Sequence, residues 1–497
     1  MQALPTLVHS TATVRAADRY AIDTLGVPGY TLMTRAAEAA FDALRAQWPL
    51  ARRVLVLCGR GNNGGDGYVL ARYASAAGLG VALSAPVGPP QAPDAIRAAG
   101  DWRAAGGEAL PWEPALLAKH DLIVDALLGT GAKRAPDAAL AAVITAINGV
   151  GRPVLALDIP SGLDPDTGAT AGVAVRASLT VAFVGLKPGL FLGQGPEHVG
   201  RLVCDDLDVP AAAFGGSSGV LRRITEAELR LALPRRARTA HKGDHGRVLV
   251  VAGAPGMPGA ARLAAEAALR AGAGLVTLAT APAHAAAIGA ARPELLVVPL
   301  EDPAALPALI AAAKVVAIGP GLGRSRWAEA LTEAAFASGA PLVVDADALN
   351  HLANAPRARG RWCLTPHPGE AARLLGTTAE AIEADRLGAA HALAERYDGV
   401  AVLKGAGTLI AERAAPPYLC ERGNPGMAVA GMGDVLTGII AGIAAQQPDP
   451  AARLALAAAV GVLVHATAGD AMARAFERGH LASELLAQVP ACVNPTS

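Results

Sequence analysis

Aromatic side chains are scarce in this sequence: Phe, Trp and Tyr make up 3% of its 497 residues. Neither sign of charge prevails, because Lys and Arg together number 43 and Asp and Glu together also number 43. A balanced charge argues against a broad nucleic-acid-binding surface, so we expect no nucleic-acid partner. Apolar residues make up 52% of the chain, which is enough for large cores, and its length predicts two or three domains.

Cysteine pairs with the CxxC spacing are missing, and no His and Cys spacing matches a zinc site. The cysteines are Cys58, Cys204, Cys363, Cys420 and Cys492. Their odd number indicates reduced thiols and a cytoplasmic location. The N-terminal residues lack the basic and apolar regions of a signal peptide. The apolar run at 454–464 is too short to span a bilayer, so we interpret it as a buried helix and expect no membrane partner.

Apolar runs typical of buried strands alternate with helical stretches along the chain. The strand candidates are residues 54–58, 122–124, 154–157, 248–252, 275–280, 295–299, 315–318, 342–345, 362–365 and 400–404. Early helices are predicted from Ser10 or Thr11 to about Leu25, and from a cap at Thr31 to Gln47. The alternation predicts an α/β fold with mostly parallel sheets, in two three-layer domains. A flexible linker at 210–219 separates domains at residues 1–214 and 220–497.

A glycine-rich stretch, GRGNNGGDG at residues 59–67, follows the first strand candidate and precedes a helix predicted from Tyr68. Strand, glycine-rich turn and helix together are typical of sites that bind the phosphates of dinucleotides. Asn62 and Asn63 add amide groups to this loop, and Asp66 adds a carboxylate.

Polar residues also follow the next two strand candidates. Asp125 comes after residues 122–124, and Asp158 and Ser161 come after residues 154–157. Ligands in open α/β sheets lie beyond the carboxyl ends of strands, so Asn63, Asp125, Asp158 and Ser161 are expected to converge. Their oxygen atoms suit a hard cation or a ribose. The alternative, that Asp125 and Asp158 only cap turns, stays open.

The first half resembles the NAD(P)H-hydrate epimerase family through NNGGDG, DALLGTG and DIPSGLD, over about residues 12–210. The resemblance implies a Rossmann-like domain with a potassium site at Asn63, Asp125 and Ser161, and with Asp158 as a catalytic residue touching the damaged ring. It also implies a set of dinucleotide contacts: Asn62, Asn63, Gly64, Gly65, Asp66, Gly129, Thr130, Gly131, Ala132, Lys133, Arg134 and Ala135.

A second glycine-rich stretch, GNPGMAVAGMGD at residues 423–434, precedes the apolar helix candidate GDVLTGIIAGIAAQ. Its glycines, Gly423, Gly426, Gly431 and Gly433, allow positive φ and close approach of a ligand. The helix that follows directs free N–H groups and its dipole towards that ligand. Asp434 is the one carboxylate in the turn, and it is placed to take a proton from a hydroxyl that attacks a phosphate. The alternative, a glycine-rich helix entry without a ligand, stays open.

The second half resembles the ribokinase-like kinases, and within them the NAD(P)H-hydrate dehydratase branch, through GMGD, KGAGT, TPHPGE and GPGLG over about residues 221–486. The resemblance implies that Ala260, Gly323, His367 and Asp434 face the damaged nicotinamide nucleotide. It places Lys404, Gly405, Ala406, Gly407, Thr408 and Gly433 at the adenine nucleotide. From the residues alone, His367 between its two prolines is either structural or a substrate contact.

Together the two resemblances imply repair of hydrated NADH and NADPH. The first domain would interconvert the R and S forms of the hydrates NADHX and NADPHX with K⁺. The second would dehydrate the S form with ADP and Mg²⁺, giving AMP and phosphate, with Asp434 as base. We expect a homo-oligomer that acts on small molecules. Two rivals stay open: a sugar or vitamin kinase with an accessory nucleotide-binding domain, and a non-enzymatic binding role for the first half.

Overall fold

Runs of Val, Leu and Ile form the strands of two separate sheets in the computed structural model, which describes residues 3–131 and 135–494. The chain divides into two compact units, Met1–Leu221 and Arg222–Ser497. Helices cover the sheets, so most strand residues are buried on both faces. This explains why the strands are continuous apolar runs instead of alternating ones.

The first unit contains the following elements. Its strands are β1 Leu7–Val8, β2 Arg53–Cys58, β3 Gly80–Ser84, β4 Ala109–Leu110, β5 Leu122–Ala126, β6 Val154–Leu157, β7 Leu179–Phe183 and β8 Arg201–Asp205. Its helices are α1 Thr11–Asp23, α2 Gly29–Gln47, α3 Asn62–Ala76, α4 Pro93–Ala104, α5 Ala115–Ala118, α6 Ala138–Gly149 and α7 Gly195–His198, with 3₁₀ helices at Pro188–Leu190 and Ala211–Phe214.

Strands β2 to β8 of the first unit build a seven-stranded sheet in the order β4-β3-β2-β5-β6-β7-β8, and every pair in it is parallel. The order reverses at β2, whose neighbours are β3 and β5. Ligands of such sheets bind in the crevice at this reversal. The arrangement is the Rossmann-like α/β fold that the sequence predicts.

The second unit contains the following elements. Its strands are β9 Leu221–Arg223, β10 Arg247–Val251, β11 Leu275–Thr280, β12 Leu296–Pro299, β13 Val315–Ile318, β14 Leu342–Val344, β15 Trp362–Leu364, β16 Val400–Leu403, β17 Thr408–Glu412 and β18 Ala415–Cys420. Its helices are α8 Glu226–Ala232, α9 Pro258–Arg270, α10 Pro282–Ala291, α11 Leu306–Ala311, α12 Arg326–Ala337, α13 Ala346–Asn354, α14 Pro368–Leu375, α15 Ala379–Ala384, α16 Arg386–Tyr397, α17 Met432–Ala445, α18 Leu454–Ala473 and α19 Ala482–Cys492, with 3₁₀ helices at Lys242–His245, Pro303–Ala305 and Pro425–Met427.

The sheet of the second unit runs in the order β9-β18-β17-β16-β15-β14-β13-β10-β11-β12. Its pairs are parallel from β16 to β12, whereas β16-β17 and β17-β18 are antiparallel. Helix α17 packs on this sheet against α9 with almost no space between their backbones. A Cβ atom at Gly438 would overlap the carbonyl oxygen of Ala264, and one at Gly442 would lie 2.6 Å from that of Ala268.

Four local predictions are wrong in detail. Helix α2 begins at Gly29 with Pro28 as its N-cap, so Thr31 is a helical residue and not the cap. The hairpin of β17 and β18 was not predicted. The predicted linker includes the 3₁₀ helix at Ala211–Phe214, where Phe214 stacks on His9 with ring centroids 4.3 Å apart.

The fourth correction concerns the apolar run at 454–464. It is the first part of α18, which continues to Ala473. Among the described residues, this helix alone is long and apolar enough to cross a membrane. Its most apolar window is 78% buried inside the protein. The prediction of a buried helix is therefore confirmed, whereas its predicted length is too short.

Candidate active sites

A cleft of about 1120 Å³ opens in the first unit beside the carboxyl ends of β2 and β5. This is the point where the strand order reverses. Its lining includes the predicted dinucleotide contacts Asn62, Asn63, Asp66, Gly129, Thr130 and Gly131 and the predicted catalytic residue Asp158. The predicted contacts Gly64 and Gly65 are not part of the lining. The predicted contacts at Ala132, Lys133 and Arg134 lie outside the described residues, and Ala135 is exposed.

The glycine-rich stretch before this cleft is helical, contrary to the prediction of a loop that ends at Tyr68. Helix α3 begins at Asn62, with Gly61 as its N-cap. A Cβ atom at Gly64 would overlap the carbonyl oxygen of Gly59, and one at Gly65 would overlap the side chain of Met33. These glycines therefore let the first turns of α3 pack closely on their neighbours. The helix N-terminus still faces the cleft, where its free N–H groups suit an anion.

Three predicted metal ligands do converge behind the cleft. The hydroxyl of Ser161 donates to Asp125 Oδ1 at 2.6 Å, and its backbone N–H donates to Asp125 Oδ2 at 2.8 Å. Asn63 Nδ2 donates to the carbonyl oxygen of Leu128 at 2.9 Å, which leaves Asn63 Oδ1 buried without a partner among the described residues. Burial raises the pKa of Asp125 to about 6, opposed by its hydrogen bonds from Ser161 and Leu127.

Asp158 lies at the end of β6 with φ at 66°, a left-handed conformation that is uncommon for Asp. Lys187 Nζ donates to Asp158 Oδ1 at 2.5 Å and to the carbonyl oxygen of Phe183 at 2.9 Å. The Lys187 side chain is 1% exposed, so its charge is held in the protein interior by this carboxylate. The sequence analysis missed Lys187. Its only signal is a lone lysine in the apolar stretch FVGLKPGLF.

Two further carboxyl groups border the same cleft. Asp66, expected to add a carboxylate to a loop, is buried within α3, and burial raises its pKa well above the usual range, with Asp158 and Asp18 adding to the effect. Asp18, which the sequence analysis did not single out, comes from α1. Three residues earlier on the same helix, Arg15 donates to the carbonyl oxygen of Thr130.

In the second unit, Asp434 occupies the first turn of α17, one residue after Gly433. Gly431 caps the helix with φ at 89°, and Gly423 also has a positive φ, at 111°. Gly426 and Gly433 do not have positive φ, contrary to the prediction. Gly426 is instead required because a Cβ atom would overlap the carbonyl oxygen of Glu477.

The carboxyl group of Asp434 is partly buried, and burial raises its pKa to about 7. Asp345 raises this pKa further, Lys404 lowers it, and Asp347 raises it. A group with a pKa near 7 exchanges a proton readily at neutral pH, which suits a general base. Asp434 is the one acid of its turn, as predicted, yet it is not the only acid at the site.

Asp345, the residue after β14, lies at the centre of a polar network that the sequence analysis missed. Lys404 Nζ donates to its Oδ1 at 3.0 Å, and the Thr437 hydroxyl donates to its Oδ2 at 2.7 Å. Lys404 Nζ also lies 3.7 Å from Glu370 Oε2. The signal was available in the sequence, because Asp345 follows an apolar strand just as Asp158 does.

His367 is the N-cap of α14. Its Nδ1 accepts hydrogen bonds from the N–H groups of Gly369 at 3.1 Å and Glu370 at 3.3 Å, while Glu370 Oε2 accepts one from the N–H of His367 at 2.8 Å. This capping box gives the ring a structural role. Burial lowers the pKa of His367, with Glu370 opposing the effect. The half-exposed ring edge remains available to a substrate.

The other predicted substrate contacts of this unit lie beside the loop after β13. Gly323 donates its N–H to Asp347 Oδ2 at 2.8 Å. A Cβ atom at Gly321 would lie 2.9 Å from the Cβ of Ala260, so the start of α9 touches this loop.

The predicted nucleotide loop, Lys404 to Thr408, joins β16 to β17, and its backbone is hydrogen-bonded to the buried side chain of Arg386. This side chain is 3% exposed and donates to the carbonyl oxygens of Leu403 and Lys404, at 3.2 Å each. Gly405 and Ala406 are exposed, whereas Gly407 is buried. A Cβ atom at Gly433 would lie 3.5 Å from Lys404 Nζ, so the loop and the start of α17 meet.

Known proteins match the chain in both units. A family model described as NAD(P)H-hydrate dehydratase matches residues 248–491, and one described as YjeF-related protein N-terminus matches residues 29–189. A bifunctional NAD(P)H-hydrate repair enzyme from Coxiella burnetii is 45% identical over 492 residues, which are 99% of this chain and 100% of that protein. The chain belongs to the bifunctional NAD(P)H-hydrate repair enzymes.

Further relatives agree with this family assignment. The bifunctional NAD(P)H-hydrate repair enzyme of Escherichia coli is 44% identical over 498 residues, covering 99% of this chain and 95% of that protein. A ribokinase-like superfamily protein from Enterococcus faecalis is 28% identical, with a TM-score of 0.51, over 55% of this chain and 95% of that chain. Family membership confirms both resemblances, and it does not favour a sugar or vitamin kinase.

Proposed function

We propose that this repair enzyme interconverts the R and S forms of NADHX and NADPHX in residues 1–214, and dehydrates the S form in residues 220–497. The dehydration would consume ADP and yield AMP and phosphate. The observation that carries the proposal is the presence of two separate reactive sites in one chain: the Asp158–Lys187 pair in one cleft, and Asp434 at a helix N-terminus in the other unit.

The dehydratase site supports phosphoryl transfer to the hydroxyl on the carbon next to the ring nitrogen. Asp434 accepts the proton of that hydroxyl as its oxygen bonds to the terminal phosphorus of ADP, and AMP leaves. The N–H groups at the start of α17 and the Lys404 ammonium stabilise the charge on the phosphoryl oxygens. The ring nitrogen then expels phosphate to give a C=N⁺ bond, and loss of a proton from the neighbouring ring carbon to water restores the double bond of NADH or NADPH.

Mg²⁺ fits this site only as a partner of the phosphates. Among residues 3–131 and 135–494 there is no group of three or more His, Cys, Asp or Glu that could hold a metal by itself. Mg²⁺ is usually held by one or two carboxylates together with substrate phosphates and water. Asp347 is the carboxylate assigned to that role, because Asp434 acts as the base and both oxygens of Asp345 are already bonded to Lys404 and Thr437.

The oxygen donors of the epimerase site suit K⁺ better than they suit Mg²⁺. The partnerless Asn63 Oδ1, the Asp125 carboxylate and the Ser161 hydroxyl form a buried set of oxygen donors with a single negative charge. One charge with neutral oxygens suits a singly charged ion, whereas Mg²⁺ demands a tighter octahedral shell. K⁺ would supply positive charge that orders the 127–131 loop beside the substrate.

Asp158 and Lys187 are the proposed reactive pair of the epimerase. The Lys187 ammonium is bonded to the Asp158 carboxylate, and this carboxylate can take a proton or stabilise a cationic ring. The proposal also includes a cytoplasmic location and a homo-oligomeric state. It includes no nucleic-acid partner and no membrane partner. The balanced charge supports the absence of a nucleic-acid partner, and the free cysteines support the cytoplasmic location.

Incubating the purified protein with each hydrate epimer, with and without ADP, tests the function. We expect interconversion of the epimers without ADP, and recovery of NADH absorbance only when ADP is present. Asp158→Asn should stop interconversion and leave dehydration of the S form, whereas Asp434→Asn should do the reverse. A stable phosphorylated product would instead indicate an ordinary kinase, and a protein inert towards both epimers would refute the proposal.

A further inference from the structure

Helix α1 forms a wall of the epimerase cleft and is anchored at two levels. At its start, Asp166 Oδ1 accepts a hydrogen bond from the N–H of Thr11 at 2.7 Å. One turn along, Arg15 donates to the carbonyl oxygen of Thr130, in the loop that follows β5. These contacts fix the helix relative to the carboxyl ends of the strands.

Asp18 lies three residues after Arg15, so it is on the same face of α1. It lines the cleft together with Asp158 and Lys187. The cleft is therefore lined by acids from different elements, among them Asp158 from the end of the sheet and Asp18 from the helical wall. Of these two acids, only Asp158 is bonded to a lysine in the described part of the chain, at 2.5 Å.

Epimerisation at one carbon is assisted by proton transfer on both faces of the ring, which a single acid on one face does not provide. One route that inverts the carbon that carries the hydroxyl is loss of water from one face of the ring and addition of water to the other. A proton must be given on the first face and taken on the second, so two acid–base groups on different sides of the ring serve the reaction best.

We propose that Asp18 is a second catalytic acid–base group of the epimerase site, serving the face of the ring away from Asp158. This inference rests on the proposed function. Asp18 in its protonated form donates to the leaving hydroxyl. The C–O bond breaks, water departs, and the electron pair of the ring nitrogen forms a C=N⁺ bond.

In the second step, water adds back to the cation and a proton is released. A water molecule adds to the opposite face of the C=N⁺ carbon, the nitrogen regains its electron pair, and Asp158 takes the proton that the water gives up. Conversion of the other epimer runs through the same steps in reverse, from Asp158 to Asp18. Between turnovers the two carboxyl groups exchange protons with water in the cleft.

The electrostatics of the cleft suit this role. Burial raises the pKa of Asp18 to about 6; Lys187 lowers it, Asp158 raises it, and Arg15 and Arg19 lower it. Asp66, buried in α3, is a further acid that interacts with Asp18. A carboxyl group with a pKa of about 6 is protonated in about one molecule in ten at pH 7 and in about half at pH 6, so the donor form is populated.

Asp18→Asn tests the proposal, with Asp23→Asn as a matched control on the exposed part of the same helix. We expect epimer interconversion, followed by chromatography without ADP, to fall about 100-fold in Asp18→Asn and to stay within about twofold in Asp23→Asn. Asp18→Glu, which keeps a carboxyl group, should recover at least about tenfold over Asp18→Asn.

The pH profile separates a catalytic role from a structural one. In the wild type, kcat/KM should fall as pH rises above the pKa of Asp18, because the protonated form is required, and this limb should vanish in Asp18→Asn. Near-normal interconversion in Asp18→Asn, or an unchanged limb, would overturn the proposal. So would a loss in Asp18→Asn accompanied by an equal loss in Asp18→Glu and a lowered melting temperature in both. If the wild type does not interconvert the epimers, the proposed function fails instead.

Discussion

Replacing Asp434 by asparagine is predicted to stop dehydration and, at the same time, to stabilise the second unit above pH 7. An amide cannot accept the proton of the substrate hydroxyl, and loss of a general base costs about two to four orders of magnitude in rate. The gain in stability arises because burial beside Asp345 and Asp347 raises the pKa of Asp434 from 3.8 to about 7 in the folded protein.

The size of this gain follows from the two pKa values. Below pH 3.8 the carboxyl is protonated in both the folded and the unfolded chain, so it does not affect stability. Between that pH and about 7 the folded protein keeps a proton that the unfolded chain has lost, and each pH unit lowers the free energy of unfolding by about 1.4 kcal/mol. The full window would give about 4 kcal/mol, and screening of this partly exposed group reduces it to about 2 kcal/mol.

Calorimetric unfolding of the full chain without ligands, at pH 4 and pH 8, measures the effect. We expect Asp434→Asn to melt about 4–8 °C above the wild type at pH 8 and close to it at pH 4. Glu301→Gln removes one exposed negative charge from the same unit and serves as the control. Dehydration is followed by NADH absorbance with the S epimer and ADP. Near-normal turnover, or a variant that is less stable at pH 8, would refute the reasoning.

Three further outcomes are expected. Asp125→Asn should make epimerisation insensitive to K⁺; a titration of the rate with K⁺ checks this, and an unchanged K⁺ response would contradict the cation site. Arg386→Gln should raise the KM for ADP about tenfold with a smaller change in kcat, because the nucleotide loop loses its buried donors, and steady-state kinetics with an unaltered KM would count against it. Gly438→Ala should destabilise the second unit by about 1–3 kcal/mol through overlap with Ala264, whereas Gly259→Ala, where no atom lies within 4 Å, should not; equal melting temperatures in calorimetry would exclude this account of the packing.

In both sites, the polar residues at the carboxyl ends of the strands were the easiest to predict. Apolar runs gave ten of the strands to within about two residues, whereas the parallel strands β3, β4, β7, β8 and β9 were not predicted. Parallel strands bring their carboxyl ends to one edge. That rule placed Asp125 and Asp158 correctly near Asn63. The same rule applies to Asp345, which follows strand β14, but the sequence analysis did not include this residue.

The glycine-rich stretches were harder to interpret because a glycine serves two physical purposes. At Gly431 it permits a positive φ. At Gly64 and Gly65 it leaves room for the backbone of Gly59 and the side chain of Met33. The sequence does not distinguish these uses, since the neighbour that excludes a Cβ atom belongs to a distant part of the chain. This is why helix α3 begins earlier than predicted.

Lys187 was missed for a related reason. A lysine is ordinarily exposed, and only the fold reveals that this one is buried against a carboxylate 29 positions away in the chain. The β17–β18 hairpin escaped prediction because Pro416 and Pro417 argue against a strand.

The glycine contacts between α17 and α9 have a mechanical consequence. Because the backbones of α17 and α9 are in contact, α17 cannot slide or tilt without steric overlap. The position of Asp434, at the start of α17, is therefore fixed relative to α9. We therefore expect closure around ADP to occur in the loops and not in these helices, for instance in the exposed residues of the 404–408 loop. Structures with and without nucleotide should superimpose on α9 and α17 and differ in that loop.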